Sequence, residues 1–275
     1  MKTHFLQLSE GTIAYDDAGS GPLVVCVPGM GATRAEFRYL TPRLVEAGYR
    51  VVTVDNRGHG ETSARWPDYS ILGMSSDLIA LILHLDAGPA ILLGHSISGA
   101  TAVWAATEAP QLVRGLVLVD AGFHGHINTA LRLLLAVLFA RPWGPSAWVR
   151  YYTGLFPSRK PADWETHTAN LRRNLSEAGR LEGLHQMMIS DRYNVAERLS
   201  RVSVPTLVVM GTRDGDFKDP EAEARWVAEQ VRGSYHMIEG SGHYPFTEFP
   251  EVTAPVILDF LADLQPVEAY VEAAR

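Results

Sequence analysis

The chain has 275 residues, 47% of them hydrophobic and 20% charged, with a formal net charge of −7 at neutral pH and one cysteine, Cys26. That apolar content suffices for one large core, alone or with a small subdomain, and the acidic balance with scattered basic residues excludes a nucleic-acid-binding surface. The lone cysteine excludes a disulfide framework and a cysteine-based zinc site, the first ten residues hold no apolar run of the signal-peptide kind, and the longest greasy run, 133–140, is too short to span a bilayer.

Residues 3–8 and 12–16 alternate around Ser9-Glu10-Gly11 and predict an antiparallel hairpin at a sheet edge. The unbroken apolar run 23–27 has the pattern of a strand buried on both faces, and it ends in Pro28-Gly29-Met30-Gly31. A helix is expected over 34–47, closed by Gly48. The next buried strand, 50–54, ends in Asp55-Asn56-Arg57-Gly58-His59-Gly60-Glu61-Thr62-Ser63, and 74–85 has helical periodicity. The apolar run 90–93 leads into Gly94-His95-Ser96-Ile97-Ser98-Gly99, and the helix-forming run 100–108 leads out of it. Another buried strand, 116–119, ends at Asp120. Residues 123–203 contain no convincing buried strand and are helical and aromatic. Strands at 204–211 and 234–238 and helices at 220–231 and 250–264 follow, and 265–275 reads as a frayed tail. The alternation predicts an α/β protein with a mostly parallel eight-stranded sheet covered by helices on both faces. Residues 1–122 and 204–275 would form the core, and 123–203 a helical cap, an insertion longer than an ordinary loop.

A serine on a sharp strand-to-helix turn reads as a nucleophile elbow, with small neighbours at Gly94, Ser98 and Gly99 and the helix N–H groups behind it. Gly/Ser-rich turns of this kind also serve α/β proteins that bind only phosphate, and Ser98 stands where the pattern usually has its second glycine. A serine hydroxyl needs a base, and the base an orienting acid. In open sheets such groups come from loops at the carboxyl ends of strands. Two such loops qualify here: Gly211-Thr212-Arg213-Asp214-Gly215-Asp216 and Glu239-Gly240-Ser241-Gly242-His243-Tyr244. The order Ser96, Asp214, His243 follows.

With these motifs the chain resembles the α/β-hydrolase fold superfamily over most of 5–264, the cap excepted. The resemblance rests on the Gly94–Gly99 elbow, the Asp55–Ser63 segment, Gly211-Thr212-Arg213-Asp214 and Gly242-His243. It implies Ser96 as nucleophile, His243 as base and Asp214 as acid, with the N–H groups of Met30 and Ile97 forming the oxyanion hole. Asp214 is favoured by its spacing from Gly211; Asp216 and Asp120 are its rivals, the latter because some members of the superfamily place the acid there. Pro28 stands where the family often has histidine. His95 is read as structural, His59 as bonding backbone in its turn, and Asp55 and Arg57 as a structural turn. His4, His84, His167, His185 and His236 are read as surface or packing residues. His124-Gly125-His126 has an H-x-H look of metal binding without an accompanying carboxylate cluster, so no metal is expected. Trp143, Trp148, Trp164 and Met187 are expected to line an apolar substrate pocket, the alternative being that they form the cap's own core.

The expectation is a serine hydrolase cleaving an ester or lactone of a small, fairly apolar compound through an acyl-enzyme, with no cofactor. Alternatives on the same residues are a C–C bond hydrolase, a perhydrolase or a non-catalytic small-molecule receptor. A cytoplasmic monomer or homodimer with a small-molecule substrate and no nucleic-acid or membrane partner is expected.

Overall fold

The computed structural model describes residues 2–123, 128–190 and 193–264. The N-terminal alternation forms β1 (Thr3–Gln7) and β2 (Thr12–Ala18), paired antiparallel with Thr3 opposite Asp16. The apolar runs form β3 (Leu23–Val27), β4 (Arg50–Val54), β5 (Ala90–His95), β6 (Val113–Val119) and β7 (Thr206–Gly211); in β3, β5, β6 and β7 every residue is buried. The last strand, β8 (Ser234–Ile238), is largely exposed, as its place at the sheet edge dictates. The sheet runs β1-β2-β4-β3-β5-β6-β7-β8, and β2 is antiparallel to both of its neighbours while all later pairings are parallel.

Successive residues of these strands serve opposite faces. Val25, Leu92, Leu118 and Val208 pack on one face under α2 (Ile71–Leu85), α3 (Ile97–Glu108) and α9, which covers Pro220–Val231. Val24, Ile91, Val117 and Val209 pack on the other under α1 (Thr41–Glu46) and α11, which covers Pro250–Asp263. Between β6 and β7 the chain makes a helical excursion: α4 (Thr129–Leu138), α5 (Gly144–Gly154), α6 (Trp164–Ser176), α7 (Arg180–Met188) and α8 (Tyr193–Arg198). A one-turn helix, α10 (Pro245–Glu248), precedes α11.

Strand ends shift by two or three residues from the sequence pattern, β6 beginning at Val113 and β7 at Thr206, and three helices differ from it as well. The helix expected over 34–47 is divided into a 3-10 segment, Arg34–Tyr39, and α1, with Pro42 in the first turn of α1. Proline has no N–H to continue the preceding turn but fits the first turn of a new helix. The second helix begins at Ile71 rather than 74, because Ser70 caps it: Ser70 Oγ accepts the Gly73 N–H at 3.0 Å. The helix after the elbow begins at Ile97, directly behind Ser96, rather than at 100.

The excursion is tied to the sheet at its carboxyl-end loops. Leu155 O accepts the His243 N–H at 3.1 Å. Asp163 accepts two hydrogen bonds from the Arg38 guanidinium, at 2.6 and 2.8 Å, and one from Tyr39. Asn174 exchanges two 3.0 Å bonds with the Gly60 backbone. Among the described residues no helix is long and apolar enough to cross a membrane.

Candidate active site

The sheet order reverses at β3, whose neighbours β4 and β5 follow it on opposite sides. Such a switch point opens a crevice at the carboxyl ends of the strands. The register assembles that crevice. Val27 pairs with Gly94, so Pro28-Gly29 lies beside His95-Ser96. His95 pairs with Val119, and Ser96 N–H donates to Val119 O at 2.9 Å, so Asp120 flanks the serine. Gly211 pairs with Ile238, which sets the Asp214 loop next to the His243 loop.

Ser96 has φ 54 and ψ −124, a conformation residues with a Cβ rarely adopt. The packing around it explains the small residues. A Cβ on Gly94 would lie 2.4 Å from Ser98 O, and one on Gly99 2.4 Å from the Ala121 Cβ. Ile97 is the first residue of α3, so its N–H is among those a helix leaves without an intrahelical acceptor. Met30 lies in the loop after β3, and a Cβ on the neighbouring Gly29 would reach within 3.3 Å of the Ser96 Cβ and 2.7 Å of His95 Nδ1.

The structure joins Asp214 and His243 directly: His243 Nδ1 lies 2.6 Å from Asp214 Oδ2, and both residues are buried. Burial alone would pull the imidazole pKa down, but the Asp214 carboxylate outweighs it and holds the pKa above its ordinary value. Burial likewise pushes Asp214 up, and the adjacent imidazole with further hydrogen bonds brings it below the usual carboxylate range. The rivals for the acid fall elsewhere. Asp216 faces the opposite ring nitrogen, 3.8 Å from Nε2, and accepts a hydrogen bond from Tyr151 of α5 at 2.8 Å. Asp120 lies behind Asp214, with Oδ1 accepting the Gly211 N–H at 2.9 Å. One oxygen each of Asp120 and Asp214 and a ring nitrogen of His243 lie within 4.8 Å of one another, the one such group among the described residues. A shared metal ion would hold its ligand atoms further apart than the 2.6 Å between His243 and Asp214, a distance that suits a shared proton. His124 and His126 lie outside the described residues.

His95 is tied on both sides. Its Nε2 is 2.8 Å from His243 O, and its Nδ1 is 3.0 Å from Glu36 Oε1, both side chains fully buried. Glu36 also accepts the Gly29 N–H at 3.3 Å. His59 Nδ1 bonds Arg57 O at 2.9 Å. Asp55 is buried and accepts the Arg34 and Glu61 N–H groups; Arg57 pairs with Asp77 and lies over the Trp66 ring. Of the four pocket candidates, Trp148 is buried against the loop after β3, where a Cβ on Gly31 would overlap its indole. Trp164 stacks on Tyr152, and Met187 is buried in the sheet-face core. Trp143 is instead 53% exposed, its indole N–H donating to Val137 O at 3.0 Å.

The sequence reading missed Glu36 and the bond from Ser98 Oγ to Pro28 O, at 2.5 Å. Nothing local marks Glu36. The Ser98 bond had a signal, since Pro28 and Ser98 are the two departures from the family pattern and they touch.

An open α/β sheet with a strained serine on the turn after β5 and a carboxylate-bound histidine on the loop after β8 has the architecture of a hydrolase. The chain belongs to the alpha/beta hydrolase family, whose sequence profile matches residues 24–256. It is similar to 2-(acetamidomethylene)succinate hydrolase of Mesorhizobium japonicum, 28% identical over 91% of each chain. It is also similar to karrikin insensitive 2 receptor IA of Petunia hybrida, 26% identical over 87% of this chain and 90% of that one. In fold it resembles an esterase from Exiguobacterium antarcticum, with a TM-score of 0.82 over 94% of this chain and 99% of that one at 24% identity.

Proposed function

We propose that the protein is a serine hydrolase that cleaves an ester or lactone of a small, fairly apolar compound through an acyl-enzyme. The observation that carries this reading is the buried 2.6 Å contact between His243 and Asp214, on loops at the same carboxyl end of the parallel strands as a serine held at φ 54. In this reading Ser96 Oγ attacks the carbonyl while His243 takes its proton, and Asp214 stabilises the imidazolium. The Met30 and Ile97 N–H groups receive the oxyanion; losing one such donor costs about 3 kcal/mol of barrier. His243 returns the proton to the leaving group, and water, activated by the same imidazole, releases the acid.

Residues 123–203 act as a cap over a core formed by 1–122 and 204–275, with Trp148 closing over the oxyanion loop. A neutral substrate is favoured over a dianion, because the Asp216 carboxylate lies 3.8 Å from His243 Nε2, the ring nitrogen that faces the reaction in this reading. The relative in Mesorhizobium, named for a succinate substrate, differs from this chain's reading in that respect.

The test is reaction with a fluorophosphonate probe and turnover of short p-nitrophenyl esters, on the parent and on Ser96→Ala. Labelling and an acyl-enzyme burst in the parent, both lost in the variant, are expected. A parent that neither labels nor turns over, yet is stabilised by an apolar small molecule, overturns catalysis in favour of a receptor.

A further inference from the structure

The end of β6 carries a group that the reaction above does not use. Asp120 has φ 44, left-handed backbone that a residue with a Cβ adopts only when its surroundings impose it. Two bonds impose it here: Asp120 N–H donates to Val209 O at 2.8 Å, and Gly211 N–H donates to Asp120 Oδ1 at 2.9 Å. They aim the carboxyl at the Asp214 loop. Its second oxygen, Oδ2, is buried and meets no hydrogen-bond donor among the described residues. What the carboxyl meets is Asp214, one oxygen of which lies within 4.8 Å of an Asp120 oxygen.

Asp214 is already supplied with donors. Its Oδ2 faces His243 Nδ1 at 2.6 Å, and its Oδ1 accepts the Asp216 N–H at 3.0 Å. Two ionised carboxylates have no proton to share and repel strongly in a dry interior. A hydrogen bond between them therefore requires one to be protonated. Asp214 has the imidazole and a backbone N–H to hold its charge, whereas Asp120 has only the Gly211 N–H, on Oδ1, and nothing on Oδ2.

We propose that Asp120 is a neutral carboxylic acid and a positioning residue: its Oδ2–H donates to the Asp214 carboxylate and fixes that carboxylate in the rotamer that faces His243. The role rests on Ser96, Asp214 and His243 acting together as read above. The titratable groups around Asp120 agree with it. Burial, then the charge of Asp214 and more weakly of Asp216, pushes Asp120 well above the usual carboxylate range. The three acids around His243 thus divide the work, with Asp214 on Nδ1, Asp120 behind Asp214, and Asp216 on the Nε2 side.

The test compares D120N, D120L and D214N. Asparagine keeps an oxygen for the Gly211 N–H and an N–H for Asp214; leucine keeps neither. Two readouts need no substrate and so stand apart from the ester reading. The infrared difference between parent and D120N at pH 7 should show loss of one protonated-carboxyl C=O band. The downfield proton resonance of the His243 Nδ1–H···Asp214 bond should persist in D120N and weaken in D120L. With p-nitrophenyl acetate, D120L should lose more than about tenfold in kcat with KM little changed, and D120N should recover kcat to within about threefold, with the acid limb of the pH profile unmoved. If D120L fails to fold, D120N and the infrared band decide. An absent band, or an acid limb lowered by about a unit or more in D120N, would mean that Asp120 is ionised and overturn the proposal. A kcat loss in D120N equal to that in D214N would also overturn it, by making Asp120 the acid itself.

Discussion

At the scale of single residues, the two departures from the family pattern explain each other. Pro28 has no N–H to donate, and its carbonyl, which opens the loop to Met30, is held by two donors: Ser98 Oγ at 2.5 Å and Asn56 Nδ2 at 2.7 Å. Asn56 Nδ2 also reaches Ser98 Oγ at 3.1 Å, closing a buried triangle between the loops after β3 and β4 and the first turn of α3. A glycine at 98 could not make this tie. The serine therefore links the elbow to the loop that carries one of the proposed oxyanion donors. Ser98→Ala removes two buried hydrogen bonds and leaves Asn56 alone on the Pro28 carbonyl, so it should cost about 1–3 kcal/mol of stability. In the ester assay it should lower kcat several-fold with KM nearly constant, because a donor displaced from the oxyanion is felt mainly in the transition state. Urea midpoints and steady-state kinetics check the two halves; a change in KM alone would detach Ser98 from the oxyanion loop.

At the scale of elements, α10 shows how the excursion and the sheet are locked. Glu248 ends this single turn, is buried, and accepts Ser158 N–H at 2.7 Å, Arg159 N–H at 2.9 Å and Gly242 N–H at 2.8 Å. It thereby fixes the chain after α5 against the residue preceding His243. Glu248→Ala strands one buried donor, the Gly242 N–H, and leaves the N–H groups of the exposed Ser158 and Arg159 to water, so it should cost about 1–3 kcal/mol. Glu248→Gln keeps one acceptor oxygen and should lie between. Denaturant unfolding measures the order, and a loss in kcat that tracks it would place Glu248 upstream of His243. None of this was legible in the sequence, since Glu248 and Ser158 are 90 residues apart and Arg38 and Asp163 are 125 apart, and no local period encodes such pairs. What was legible follows from local rules. β3, β5, β6 and β7 are buried on both faces, so they read as unbroken apolar runs. The elbow and the Asp214 and His243 loops read as glycine-rich turns at strand ends. The break at Leu40 before α1 was passed over because the apolar spacing of Phe37, Leu40 and Leu44 runs through it unchanged.

For the whole molecule, acid sensitivity follows from where its buried histidines lie. Burial lowers His59 to about 4, and burial with the nearby Arg38 charge lowers His167 to about 4. In the unfolded chain a histidine titrates near 6.5. Between those values the unfolded state binds protons that the native state refuses, so stability rises with pH across this window and is lost on acidification. Each full shift is worth about 3 kcal/mol, set against total stabilities of about 5–15 kcal/mol. His243 acts with the opposite sign: its pKa is raised, so its contribution is full below about 6.5 and is lost as pH climbs through the folded value, offsetting part of the slope. Asp163, held down to about 2 chiefly by its bond to Arg38, is silent until far more acid conditions. The urea midpoint should therefore fall steadily from pH 7 to 4.5, and His59→Asn and His167→Gln should each flatten the slope. A slope that neither variant changes would put the sensitivity elsewhere. The two histidines also share a location. His59 O accepts from Arg180 of α7, and His167 lies on α6 next to the Arg38–Asp163 pair. Protonation therefore sets a cation beside an arginine at two of the joints between the excursion and the sheet. Amide exchange at pH 5 should accelerate in α6 and α7 before it does in β5 and β6, whereas uniform acceleration would mean that the molecule opens as one unit.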